Sequence, residues 1–132
     1  MANRIKYYEI CGKTVALNYS VLAAEDIEDG IDGENKNIVS YLYPDVGAKV
    51  MFRNVTRAAE IMMREGAVYE RIISGKEFAV FSAKELLSLL GMREMIELQT
   101  TCIEAVSESL QRRIEVKDDS NEIKNVMTTR TN

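Results

Sequence analysis

Residues 46–66 read VGAKVMFRNVTRAAEIMMREG. Set at about 100° per residue, Lys49, Arg53, Arg57, Glu60 and Arg64 gather on one side, which is the signature of an α-helix. Ala48, Val50, Met51, Phe52, Val55, Ala58, Ala59, Ile61, Met62 and Met63 spread over roughly 220° of the wheel, against a stripe of about 100° for a helix packed on one neighbour. The spacing predicts a long helix from Val46 to Glu65, ended by Gly66. Such a helix is either the spine of its own domain or one wall of a groove for a partner. On the second reading the candidate partner-binding residues are Val50, Phe52, Ile61, Met62 and Met63, since unbranched, polarisable methionine adapts to irregular surfaces. Both readings hold together in a chain that self-associates.

Upstream, residues 4–10 (RIKYYEI) and 13–19 (KTVALNY) are rich in β-branched and aromatic side chains. Cys11-Gly12 lies between them, where a tight connection needs a residue tolerant of positive φ, so a β-hairpin is expected. Val15, Leu17 and Tyr19 alternate with Thr14, Ala16 and Asn18, which predicts one packed face and one wet face. A lone hairpin is marginal in water and needs helices against it. The first follows at once, with Ser20 as N-cap, helix formers from Val21 to Asp29, and Gly30 as stop. Residues 30–37 (GIDGENKN) have loop chemistry, and the apolar piece Ile38–Tyr43 ends at Pro44.

Downstream, a shorter helix is expected over Ala67–Ile73, stopping at Ser74-Gly75. Residues 76–81 include Phe78-Ala79-Val80-Phe81, which fits either a strand fragment or core filling. Ser82-Ala83-Lys84-Glu85 is a capping box that opens a short helix through Leu90, closed by Gly91. A last helix from Met92 to Ile114 places Met92, Ile96, Ile103, Val106, Leu110 and Ile114 on one stripe, with Glu94, Glu97, Glu104 and Glu108 opposite. The expectation is a mainly helical α+β fold: an N-terminal β-hairpin packed on four to five helices, one domain over 1–114, and a polar, flexible tail over 115–132.

Composition narrows the function. The chain has 132 residues, enough for one core, with 17 basic and 21 acidic side chains and a net charge of −4. A polyanion such as nucleic acid is repelled overall. Histidine is absent, which removes Ser-His-Asp and Cys-His nucleophile systems and most zinc sites. Cys11 and Cys102 have no metal-binding spacing, and their scarcity fits a reducing compartment. No apolar run is long enough for a membrane span. These observations point away from an enzyme, and no cofactor or metal is expected.

Individual motifs have plain explanations. Glu25–Glu34 is rich in carboxylates, yet neither glycine frame supplies the ligand positions of a calcium loop. Gly75-Lys76 lacks both the upstream glycine and the hydroxyl residue of a phosphate loop. Arg53, Arg57 and Arg64 are interleaved with Glu60 and have no aromatic stacking partners, so a solvated face is expected. Cys102 reads as a buried, inert thiol. Gln99 either sets the register of a helix pair or lies where the apolar stripe meets solvent.

In order, the chain presents Ile10–Tyr19 (ICGKTVALNY), Ser20–Gly30 (SVLAAEDIEDG), the long apolar helix, Ser82–Gly91 (SAKELLSLLG) and the glutamate-rich last helix. This arrangement, with Gly12, Lys13, Leu17, Tyr19, Ala23 or Ala24, and Glu25 or Asp26 as its sharpest local match, resembles the tail assembly chaperones of long-tailed (siphovirus-type) bacteriophages of Gram-positive hosts. The resemblance implies a non-enzymatic protein of the infected host cytoplasm, absent from the mature virion. It implies that the chain binds the tape measure protein, keeps it soluble and helps recruit tail tube protein, with no catalytic residues. A small structural or connector protein of the virion is the rival reading, and a histidine-free acid–base enzyme is a third.

Overall fold

Cys11 and Gly12 both adopt positive φ, 51° and 81°, the combination that a two-residue type I′ turn requires. They join β1 (Lys6–Ile10) to β2 (Lys13–Leu17), paired antiparallel from Ile10 opposite Lys13 to Lys6 opposite Leu17. The computed structural model describes residues 5–33 and 36–125, with side chains as far as Leu110. Five helices follow the hairpin: α1 (Val21–Asp29), α2 (Ile38–Leu42), α3 (Ala48–Ser74), α4 (Ala83–Leu89) and α5 (Met92–Asn125). The fold is mainly helical α+β, as the patterning indicates.

Helix α3 is the spine, packed by β2 and by all four other helices. It does not end at Gly66 but runs on to Ser74, so the two helices expected over 46–73 are one. The stop is Gly75, left-handed at φ 72°, whose N–H bonds the Arg71 carbonyl. Gly66 has a different task. A Cβ there would lie 1.8 Å from the carbonyl oxygen of Ala16, so the missing side chain lets β2 lie directly on the helix. Just beyond the strand, the Asn18 N–H donates to the Met62 carbonyl at 3.1 Å, and its side-chain amide donates to the Glu65 carbonyl at 3.3 Å.

This contact corrects the expected alternation in the second strand. Val15, Ala16, Leu17, Asn18 and Tyr19 are all buried. One face of the hairpin carries Lys6 and Tyr8 to α5, through Glu108 and Glu97, while Tyr7 and Ala16 on the other meet Glu70 and Gly66 of α3. Beyond its exposed first residues Lys13 and Thr14, β2 therefore has no wet face and lies as an inner layer between two long helices.

The short helices are held by caps. Ser20 Oγ accepts the Ala23 N–H, and Asn37 Oδ1 accepts those of Val39 and Ser40. Ser82 and Glu85 form the expected capping box, and Glu60 of α3 adds a bond from the Ala83 N–H at 2.8 Å. Residues 76–81 form no strand; Ala79 and Phe81 pack against the core and Phe78 stacks on Tyr7 at 5.8 Å. Helix α5 continues past Ile114 to Asn125, so part of the expected tail is helical; residues 126–132 lie outside those described.

Candidate protein-binding surface

The five residues expected to face a partner divide sharply. Val50 is exposed and Phe52 half-buried, whereas Ile61, Met62 and Met63 belong to the core, the two methionines with no exposure at all. The broad apolar face of α3 is broad because the chain's own hairpin and helices surround it. A groove walled by Met62 and Met63 is therefore corrected: these side chains are covered by the same chain, and reaching them means opening its core.

Helix α5 carries the opposite surprise. Met95, Leu98, Gln99, Cys102, Ala105 and Val106 are buried. Of the stripe read from the sequence, Val106 alone among the residues with described side chains is fully inside; Met92, Ile96 and Leu110 are 62%, 51% and 43% exposed, Ile103 is half-buried, and the Ile114 side chain lies outside those described. At about 100° per residue the buried set centres roughly a quarter-turn from Met92, Ile96, Ile103 and Leu110. The helix thus has two adjacent apolar faces, one sealed into the domain and one presented to water. Large apolar side chains in a row on a solvent face are the usual mark of an interaction site.

The third side of α5 faces the hairpin. Lys6 reaches Glu108 at 3.1 Å and Glu104 at 3.5 Å. Its ammonium is held above the usual lysine range, first by the hydrogen bond to Glu108, which outweighs the opposing effect of burial, and further by the charges of Glu108 and Glu104. Tyr8 bonds Glu97, and its hydroxyl is pushed up by burial and by that carboxylate. Glu94 accepts the Gly91 N–H at the start of its own helix. These glutamates, expected to face away from the fold, bind the hairpin and cap the helix.

Gln99 is buried at a contact between two helices and not where the stripe meets solvent. Its amide donates to the Leu42 carbonyl at 2.6 Å, tying α5 to the end of α2. Arg57, expected on a solvated face, turns inward and donates to the carbonyls of Ile27 (3.1 Å) and Asp26 (2.6 Å) and to the Tyr41 hydroxyl (3.2 Å). It closes the C-terminus of α1, where orphan carbonyls and the helix dipole favour a cation. Arg64 sits between Glu60 at 3.6 Å and Asp26 at 3.9 Å. Two of the three arginines are thereby committed to holding α1 on α3. In the sequence, nothing separates an arginine that caps a distant helix from one that faces water.

Cys102 is fully buried, and burial pushes its thiol up to about 12, which suppresses the thiolate. Among the described residues no three or more Cys, Asp or Glu side chains converge as a metal site would require, and no helix is long and apolar enough to cross a membrane. No family model, curated protein or solved structure matches the chain.

Proposed function

We propose that this protein is a non-enzymatic assembly chaperone of a long-tailed bacteriophage, acting in the infected cell, that shields a long amphipathic helical protein, the tape measure, and helps bring tail tube subunits to it. The family resemblance supplies the partners. The supporting observation is the water-facing row Met92, Ile96 and Leu110 on a helix whose other apolar face is already used by its own domain. A helix-binding surface is read as anchors spaced by whole turns on one side, and Ile96, Ile103 and Leu110 recur every seven residues. The same row offers a contact between copies of the chain.

The test is co-expression with a tape measure protein, the partner this reading assigns. The wild-type chain is expected to keep that product in the soluble fraction and co-purify with it, and Ile96→Glu with Leu110→Glu is expected to lose both. Equal solubility with and without the chain overturns the reading. Recovery of the chain from purified particles by mass spectrometry supports the virion component instead.

A further inference from the structure

Lys13, at the start of β2, and Lys84, in the first turn of α4, line one open depression of about 780 Å³. Its apolar wall is Val80 and Phe81 of the connector together with Leu89 of α4. Val80 and Leu89 are exposed. Glu85 shares the wall, but its Oε1 accepts the Ser82 N–H at 2.9 Å in the capping box, which turns the carboxylate to the backbone of α4. Neither lysine forms a salt bridge among the described residues.

The chain as a whole carries a net charge of −4, so an acidic partner is repelled by most of its surface. Here two lysines and one glutamate, its carboxylate engaged in the capping box, line a depression with an apolar wall, so the charge among its lining residues is net positive. Small-molecule sites enclose most of their ligand. This depression is open, which suits a length of polypeptide. Lysine also leaves its ammonium mobile on a four-carbon stem, so it can follow a carboxylate whose position varies.

We propose that the depression docks a segment of a partner protein that presents carboxylates beside a large apolar side chain. The apolar group covers Val80, Phe81 and Leu89, and the carboxylates pair with Lys13 and Lys84. The inference rests on the protein-binding reading above and needs no particular identity for the partner.

The experiment selects random dodecapeptides displayed on a carrier against the full chain, then measures the enriched peptides by fluorescence polarisation. The expected winners carry Asp or Glu flanking Leu, Met or Phe, and bind more weakly as salt rises. Lys13→Glu with Lys84→Glu, and separately Leu89→Ser, are expected to weaken binding by about tenfold or more, while the charge-matched control Lys49→Glu with Arg53→Glu, two exposed positions on α3, leaves it unchanged. All these positions are exposed, and unchanged thermal melts confirm the fold of each variant. Neutral or basic winners, no enrichment, or full binding by the double lysine variant overturns the proposal. An equal loss in the charge-matched control overturns it too, while leaving in place the protein-binding reading, which the α5 variants test separately.

Discussion

Gly66 and Ala16 touch backbone to backbone: a Cβ on residue 66 would sit 1.8 Å from the Ala16 carbonyl oxygen and 2.5 Å from its carbon. The obstacle is main chain inside a paired hairpin, so it cannot rotate away. Gly66→Ala would gain about 1 kcal/mol of helix propensity and lose far more by prising β2 from α3. A net loss of about 3 kcal/mol or more is expected, the scale of overpacking a tight core. Urea denaturation measures it. A Gly47→Ala control, at a position with open space around it, should change stability by less than about 1 kcal/mol.

Arg57 holds α1 through two carbonyls and a hydroxyl at once. Removing a charged donor from such a cluster costs about 1.5–3 kcal/mol, and Arg57→Ala is expected to fall in that range. Arg57→Lys should recover less than half of it, because one ammonium cannot reproduce the fork that spans neighbouring carbonyls. Hydrogen exchange of the α1 amides offers a local reading beside the global one. Faster exchange confined to α1 is the expected pattern.

The buried amide of Gln99 makes a comparable link between α5 and α2. Gln99→Leu leaves the Leu42 carbonyl without its side-chain donor and should cost about 1–3 kcal/mol. Gln99→Glu should cost more at neutral pH, since it sets a carboxylate against a carbonyl oxygen in a dry place. Lowering the pH towards the protonation of that carboxylate should then stabilise the Glu variant relative to wild type. Thermal melts across pH 4 to 8 would reveal the crossover.

Cys102 sets a dependence at the alkaline end. Full burial pushes its thiol up to about 12, above the ordinary thiol range. Above pH 9 the unfolded chain releases a proton that the folded chain keeps, so stability falls as pH rises. The contribution of the neutral thiol is complete below pH 9 and is lost between 9 and about 12. Lys6 and Tyr8 are also raised on folding and act in the same direction, so the difference between wild type and Cys102→Ala isolates the cysteine. At pH 8 a disulfide reagent should label exposed Cys11 within minutes and Cys102 only in denaturant.

The local signals in this sequence report local structure well. Cys11-Gly12 marks the turn, Ser20 and Ser82 mark helix starts, and Ser74-Gly75 marks a stop, because each acts on backbone groups within a few residues. What a residue meets across the fold left no such trace. Gly66 read as a terminator because a glycine that ends a helix and one that admits a neighbouring strand look alike in one dimension. Met92, Ile96 and Leu110 read as one apolar stripe with Val106 because periodicity reports that a face is apolar, not which of two apolar faces is covered. The same limit moved Met62 and Met63 from a supposed groove into the interior. Arg57, Glu60 and Gln99 each serve a helix far away in the chain, which spacing cannot express.

Those last reversals separate folding from binding. Met62 has no exposed surface, and Met62→Glu buries a carboxylate without a partner among apolar side chains. The cost is about 4–5 kcal/mol, enough to unfold a domain of ordinary stability, so this variant is expected to lose its cooperative melt and its binding together. Ile96→Glu and Leu110→Glu replace side chains already in water, and each should change stability by no more than about 0.5 kcal/mol. If the α5 row is the binding surface, those two variants lose partner or self-association at an unchanged melting temperature, read by light scattering and pull-down on the same samples. Normal association by the double α5 variant would leave the row as idle surface and remove the main structural support for a holdase.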